Sequence, residues 1–219
     1  MGVLLMLMTI GGLLVAAVLL AISIYTKKIW LRNFVFGGVA VWFVFYFAML
    51  FGFSVTSKEK NLALNEPKEF CGFYLDCHMH TSVTDVRTAK TIGNKTANGE
   101  FYIVKVKVFS DAKAATIGLL TVDAHVVDGA GQKYDRDMTA ESNLSPQPDF
   151  EKPISPVESF EKEIVFDLPE KIDQPRLDIR EGYGIDHAIE AVLVGDEDSI
   201  LHKRNYFSLE GRPHTAAIR

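Results

Sequence analysis

The stretch CGFYLDCHMH, residues 71–80, holds both cysteines of this chain and two of its six histidines. Thiols and imidazoles this close together could form a disulfide, remain as free structural thiols, bind a metal ion or attach a haem. Attachment of c-type haem uses Cys-x-x-Cys-His, whereas five residues separate Cys71 from Cys77. The spacing therefore argues against haem and leaves the other three interpretations open.

A disulfide between Cys71 and Cys77 is the preferred interpretation. On an extended strand their Cα atoms would lie about 20 Å apart, but a disulfide requires a Cα separation of about 4.4–6.8 Å. The chain must therefore fold back between them, and Gly72 offers a flexible point for this. Oxidation of neighbouring thiols is the usual outcome outside the cytoplasm.

A metal site is the alternative. His78 and His80 are two residues apart, so they would project from the same face of a strand, as a chelating pair requires. Together with Cys71 and Cys77 they would form a mixed thiolate and imidazole set that favours copper or zinc. Because the spacing corresponds to no established metal motif, we expect no cofactor, with copper or zinc as the alternative.

No catalytic residues are predicted. The sequence contains no Gly-x-Ser-x-Gly, no His-Glu-x-x-His and no phosphate-binding glycine loop. The acidic run GDEDS, residues 195–199, lacks the alternating ligands and final Glu of a calcium loop, so we interpret it as a solvated turn. The other four histidines are scattered, which is typical of structural residues. We therefore expect a protein that is not an enzyme.

Two uncharged apolar runs, residues 3–24 and 34–55, dominate the N-terminal part. As helices rising 1.5 Å per residue, each is long enough to cross a hydrocarbon layer of about 30 Å. A cleaved signal peptide would show a basic start and a small-x-small site, and neither is present. The pattern predicts a two-helix transmembrane hairpin over residues 1–56.

The charge distribution predicts an orientation. Lys27, Lys28 and Arg32 lie in or next to the short connector, and no basic residue precedes the first run. By the positive-inside rule the connector is cytoplasmic and both termini are extracytoplasmic. All 28 acidic residues lie at or beyond Glu59, which argues against a nucleic-acid partner. The expected partners are the lipid bilayer and other membrane or envelope proteins.

Beyond the hairpin the pattern changes to that of β-strands. EFYIVKVKVFSD alternates strictly, and VVDGAGQKY reads as a strand, a turn and a second strand. Further strands are predicted at SFEKEIVFDLP, PRLDIRE, IEAVLVG and KRNYFSLE, and only residues 139–143 and 186–191 show weak helical character. The prediction is a stalk over 57–69, an extracytoplasmic all-β antiparallel sandwich over 70–210 and a tail over 211–219.

Three of these stretches, Tyr102–Val106, Asp128–Tyr134 and Pro156–Pro169, resemble bacterial membrane-anchored immunoglobulin-like β-sandwich domains of unknown function. The resemblance implies an immunoglobulin-like fold and carries no catalytic residues to transfer. The order of a helical hairpin followed by an extracytoplasmic β-sandwich is also similar to that of subunit II of haem–copper oxidases. The Cys-x3-Cys-x3-His pattern of that family's two-copper centre is absent from this sequence.

The sequence therefore predicts a non-catalytic, membrane-anchored envelope protein. Its extracytoplasmic β-sandwich would bind a partner or act as an accessory subunit of a larger membrane complex. The alternative is a copper- or zinc-binding or redox accessory protein that uses the stretch from Cys71 to His80.

Overall fold

A computed structural model describes residues 2–70, 77–210 and 214–215 of the 219-residue chain. The chain divides into two compact units, one of Met1–Lys58 with Gly184–Arg204 and one of Glu59–Tyr183 with Asn205–Arg219. The elements in chain order are α1 (Gly2–Tyr25), α2 (Ile29–Thr56), β1 (Lys60–Leu62), β2 (Lys68–Phe70), β3 (Met79–Ile92), β4 (Lys95–Ser110), β5 (Val122–Val127), β6 (Lys133–Asp135), α3 (Met138–Glu141), β7 (Ser159–Leu168), β8 (Arg176–Glu181), α4 (Gly184–Glu190), β9 (Asn205–Ser208) and β10 (His214–Thr215).

The first unit is built on a hairpin of two apolar helices, α1 and α2. Arg32 is the only charged residue in either helix, and both helices are long and apolar enough to cross a membrane. The Trp42 indole donates a hydrogen bond to the Thr9 hydroxyl across the hairpin at 3.0 Å. Few residues of either helix are buried.

The same unit contains residues 184–204, which form α4 followed by a series of turns. Val194 is buried in a cluster with Tyr46 and Leu50 of α2. The Tyr46 hydroxyl donates a hydrogen bond to the Val192 carbonyl at 2.7 Å.

The predicted strand at IEAVLVG is therefore wrong. Its first residues continue α4, and its apolar side chains Leu193 and Val194 are buried outside the sheets. A short apolar run is compatible with a strand or with a loop that packs on helices, and here the run is buried against the hairpin.

The second unit is a sandwich of two five-stranded sheets. One sheet has the order β1-β9-β8-β5-β6; the other has the order β10-β3-β4-β7, with β2 also paired to β3. The β1–β9 and β10–β3 pairs are parallel and the others are antiparallel. The predicted fold class, an apolar helical hairpin followed by an antiparallel β-sandwich, is confirmed.

Strand β4 follows the predicted alternation. Val104, Val106 and Val108 enter the main core between the sheets. Phe101 and Ile103 point to the opposite face, where they pack in a smaller cluster with residues that include Ala140 of α3. The strand is therefore apolar on both faces around its middle, because α3 covers the outer face there.

Some strands were predicted only in part or not at all, and of β3 only the start was expected, as the strand that carries the two histidines. β3 runs antiparallel to β4 over most of its length, but register shifts between Val83 and Asp85 and between Ala89 and Thr91 interrupt its alternation. Strands β1 and β2 lie in or next to the residues assigned to a stalk, and they pair with β9 and β3. Short strands give little periodic signal, so the pairing of these residues depended on the sheets around them.

Candidate functional site

The predicted cysteine and histidine residues lie at the start of β3. Cys71 lies outside the described residues, so the disulfide with Cys77 stays a prediction, and so does the four-residue metal site. Cys77 and His78 directly precede β3, and His80 is its second residue. The His80 ring stacks on Phe109, its partner on β4, with ring centroids 5.0 Å apart.

The structure brings His78 and His80 to one carboxyl group, that of Asp111. His78 Nδ1 lies 2.6 Å from Asp111 Oδ1, and His80 Nε2 lies 3.5 Å from the same oxygen. The hydrogen bond from His78 is the main reason why the pKa of Asp111 is lowered from its ordinary value. Asp111 follows the end of β4, so the pairing of β3 with β4 assembles this cluster.

Two imidazoles and a carboxylate are ligand types that zinc and copper accept. His78 Nδ1 makes the hydrogen bond to Asp111, so a metal ion bound at Nδ1 would displace that bond, whereas a metal ion bound at Nε2 would leave it in place. Asp111 was not predicted from the sequence because no local spacing connects it to the histidines. An Asp just beyond the end of a strand that pairs with the histidine strand is the signal that could have identified it.

A second cluster lies in the segment 184–204. Within the described ranges, one group of three or more potential metal ligands has its ligand atoms all within 4.8 Å of one another, and it consists of His187, Glu190 and Asp198. His187 and Glu190 are one turn apart on α4, with 3.0 Å between His187 Nδ1 and Glu190 Oε2. Arg204 lies 3.1 Å from Asp198 and partly neutralises it.

Asp196 lies in the same acidic turn. Burial raises its pKa from 3.8 to about 6, and the nearby carboxylates of Glu190, Asp198 and Glu197 act in the same direction. A backbone hydrogen bond from the Asp198 amide, 2.9 Å from Asp196 Oδ1, opposes this shift. The predicted solvated turn is thus partly buried at its first acidic residue, and that carboxyl group can exchange a proton near neutral pH.

The sandwich also contains a buried group of charged side chains. Asp178 is fully buried between Lys68 and His125, with 3.9 Å between Lys68 Nζ and Asp178 Oδ1 and 3.6 Å between His125 Nε2 and Asp178 Oδ2. Lys68 Nζ also donates to the Ile179 carbonyl at 2.9 Å, which links β2 to β8. Burial lowers the pKa of His125, and the Asp178 carboxylate opposes this. Such an enclosed cluster fits a structural role better than contact with a substrate.

An open depression of about 940 Å³ lies on the second unit. Three of the four carboxylates that line it have partners: Asp167 accepts hydrogen bonds from the backbone amides of Asn98 and Gly99, Glu170 pairs with Lys90, and Asp137 pairs with Lys95. Met138 lines the same depression and is 62% exposed. The depression is wide and open and has an exposed Met, so it differs from the enclosed pockets that usually hold small molecules.

Comparison with known proteins gives one family. A model described as a domain of unknown function, DUF4352, matches residues 76–189, just over half of the chain. No curated protein matches the sequence.

Three solved structures are similar at low identity. The secreted protein MPT63 of Mycobacterium tuberculosis is 11% identical, with 69% of this chain and 97% of that chain covered and a TM-score of 0.42. A conserved hypothetical protein from Bacillus anthracis is 16% identical, with 56% and 94% covered and a TM-score of 0.35. An uncharacterized β-sandwich protein from Clostridium difficile is 10% identical, with 71% and 98% covered and a TM-score of 0.37. Likenesses at these scores carry no argument about function.

Proposed function

The chain belongs to the DUF4352 family of domains of unknown function, and on that premise we propose that it is a non-catalytic, membrane-anchored envelope protein. Helices α1 and α2 cross the bilayer as a hairpin. The β-sandwich lies outside the cytoplasm, where it binds a partner or acts as an accessory subunit of a larger membrane complex.

The exposed apolar surface of the hairpin is the observation that carries the proposal. Of the 30 large apolar side chains exposed in the described part of the chain, 22 lie on α1 and α2. Apolar surface left in water costs roughly 25 cal/mol per Å², and soluble monomers rarely expose a patch of this extent. A bilayer removes that cost without requiring any other protein.

The connector supports the orientation. Lys27 and Lys28 lie between the two helices, Arg32 lies in the first turn of α2, and no other charged residue precedes Lys58. Because basic loops are retained on the cytoplasmic side, the connector faces the cytoplasm and Ser57, which follows α2, faces outward. The sandwich, which follows Ser57, is then extracytoplasmic.

Labelling of intact cells with a membrane-impermeant maleimide tests the arrangement. We expect Val157→Cys, in the sandwich, to react in intact cells, and Thr26→Cys, beside the connector, to react only after permeabilisation. The chain without added cysteine measures the background from the native thiols. Reaction of Thr26→Cys in intact cells would reverse the orientation and remove the sandwich from the extracytoplasmic side.

The second candidate function is binding of copper or zinc, which the convergence of His78 and His80 on Asp111 favours. It would use these histidines with Cys71 and Cys77. Metal analysis of protein purified in mild detergent without chelators separates the two functions. Stoichiometric copper or zinc that protects the thiols from alkylation favours the metal site, and metal-free protein favours the non-catalytic role.

A further inference from the structure

We propose that the segment Gly184–Arg204, between β8 and β9, is a third membrane-contacting element, whose apolar side chains enter the outer leaflet beside the hairpin. The inference rests on the proposed anchoring by α1 and α2. It adds a lipid-binding surface that neither the hydropathy of the sequence nor the family match assigns.

Exposed apolar side chains are concentrated in this segment. Outside α1 and α2, the described residues include eight exposed large apolar side chains, and four of them lie within these 21 residues: Ile185, Val192, Ile200 and Leu201. The other four are spread over the much longer second unit. Single exposed apolar residues are normal on protein surfaces, but a concentration of them indicates a binding surface.

The segment reaches the hairpin well below the end of α2. Tyr46, whose hydroxyl binds the Val192 carbonyl, lies ten residues before Thr56 at the helix end, or about 15 Å along the axis. The whole of α2 is about 42 Å long, roughly 12 Å longer than the hydrocarbon layer. Even if all of this excess emerged on the outer side, Tyr46 would lie inside the hydrocarbon layer. Its side chain is expected to lean towards the N-terminus of α2, which is the deeper side.

Packing against α1 supports the same position. A Cβ atom on Gly2 would lie 2.7 Å from the Val194 carbonyl oxygen, so the segment's backbone approaches the helix as closely as glycine permits. Leu5 packs on the cluster of Tyr46, Leu50 and Val194. The apolar run of the segment thus packs against the first two turns of α1 and against the side of α2.

The charges of the segment indicate that it contacts acyl chains rather than anionic headgroups. Glu190 pairs with His187, and Asp198 pairs with Arg204, so several of its polar groups are satisfied within the segment. Its acidic residues outnumber its lysines and arginines, which excludes electrostatic attraction to an anionic surface. We therefore take the lipid of the outer leaflet, which surrounds the hairpin, to cover the apolar side chains of the segment as well.

The test uses the full chain in phospholipid bilayers, with an environment-sensitive fluorophore attached to one introduced cysteine at a time. The variants are Ile185→Cys and Leu201→Cys in the segment, with Val44→Cys on α2 as the lipid-exposed control. Val157→Cys is the matched control for an exposed apolar side chain on the sandwich. Labelled protein without an added cysteine gives the background, and quenching is compared between lipids spin-labelled in the acyl chain and iodide in solution.

We expect the probes at 185 and 201 to behave like the probe at 44, with blue-shifted emission, little quenching by iodide and strong quenching by spin-labelled lipid. The probe at 157 should instead be quenched by iodide and not by lipid. If the probe at 44 is quenched by lipid while those at 185 and 201 are quenched by iodide, the anchoring stands and this inference is wrong. Protection from both quenchers at 185 and 201 would also overturn it, because a protein surface would then cover the segment. If the probe at 44 is quenched only by iodide, both the anchoring and this inference fail.

Discussion

Asp196 lies in the acidic run of residues 195–199, which the sequence predicts to be a solvated turn. In the structure it is partly buried, beside three other carboxyl groups, and its pKa rises to about 6. Since the folded state then binds a proton more tightly than the unfolded chain, this group stabilises the fold most below its ordinary pKa of 3.8. That contribution is lost as the pH rises through about 6.

We predict that the backbone amides of residues 191–200 are better protected from hydrogen exchange at about pH 5 than at about pH 7.5, after correction for intrinsic rates. Asp196→Asn should remove most of this pH dependence, because the amide stays neutral. Asp173→Asn makes the same change at an exposed position of the sandwich and should leave it intact. An unchanged pH dependence in Asp196→Asn would show that the Asp196 carboxyl group is not its cause.

In the cluster of His78, His80 and Asp111, the sequence predicts the placement of the two histidines, and only the structure identifies the carboxylate. The spacing of the two histidines predicts that they share a strand face, and in the structure both approach one carboxylate oxygen. Asp111 itself could not be found from the sequence, because only the pairing of His80 with Phe109 brings the end of β4 to the histidines.

The predicted disulfide lies in the junction between β2 and β3. We expect Cys71→Ser, Cys77→Ser and the double variant to lose the same free energy of unfolding, about 2–3 kcal/mol, because either change opens the same short loop. Denaturant unfolding of the three variants in the full chain measures this.

A reducing agent supplies the control for that prediction. It should lower the stability of the unmodified chain to that of the double variant and leave the double variant unchanged. Additive losses in the two single variants would contradict the disulfide, because they would mean that each thiol contributes separately.

The strands and turns differ in how well they can be predicted from their local sequence. The strict alternation of Tyr102–Val108 is sufficient to identify β4, because each face has a defined environment. The turn after β5 was also identifiable: the Asp128 side chain accepts hydrogen bonds from the amides of Ala130 and Gln132, as expected of an Asp-Gly turn. Strand β3 was identified only at its start, since two register shifts disrupt the period of the rest.

For the molecule as a whole, we propose that a partner protein contacts the sandwich at the depression lined by Met138. We predict that a photo-cross-linking amino acid at Met138, in the full chain in its native envelope, forms a discrete adduct with another protein. The same amino acid at Val157, which is 82% exposed but does not line the depression, should form none. Adducts at Val157 alone would place the partner on a different surface.

The sequence by itself determined the features that depend on local composition and period. These are the two long apolar helices, the basic connector between them, the alternating strand β4 and the predominantly β character of the rest. Each follows from a repeat or a charge pattern within a few consecutive residues, so no distant contact is required to recognise it.

Only the tertiary structure decided where the apolar run after β8 is buried, which carboxylate joins the two histidines, and why the pKa of Asp196 is raised. The run that reads as a strand packs on the hairpin because Tyr46 and Leu50, far away in the sequence, offer it an apolar surface and a hydrogen bond. Burial and long-range pairing set these properties, and neither can be read from the spacing of residues along the chain.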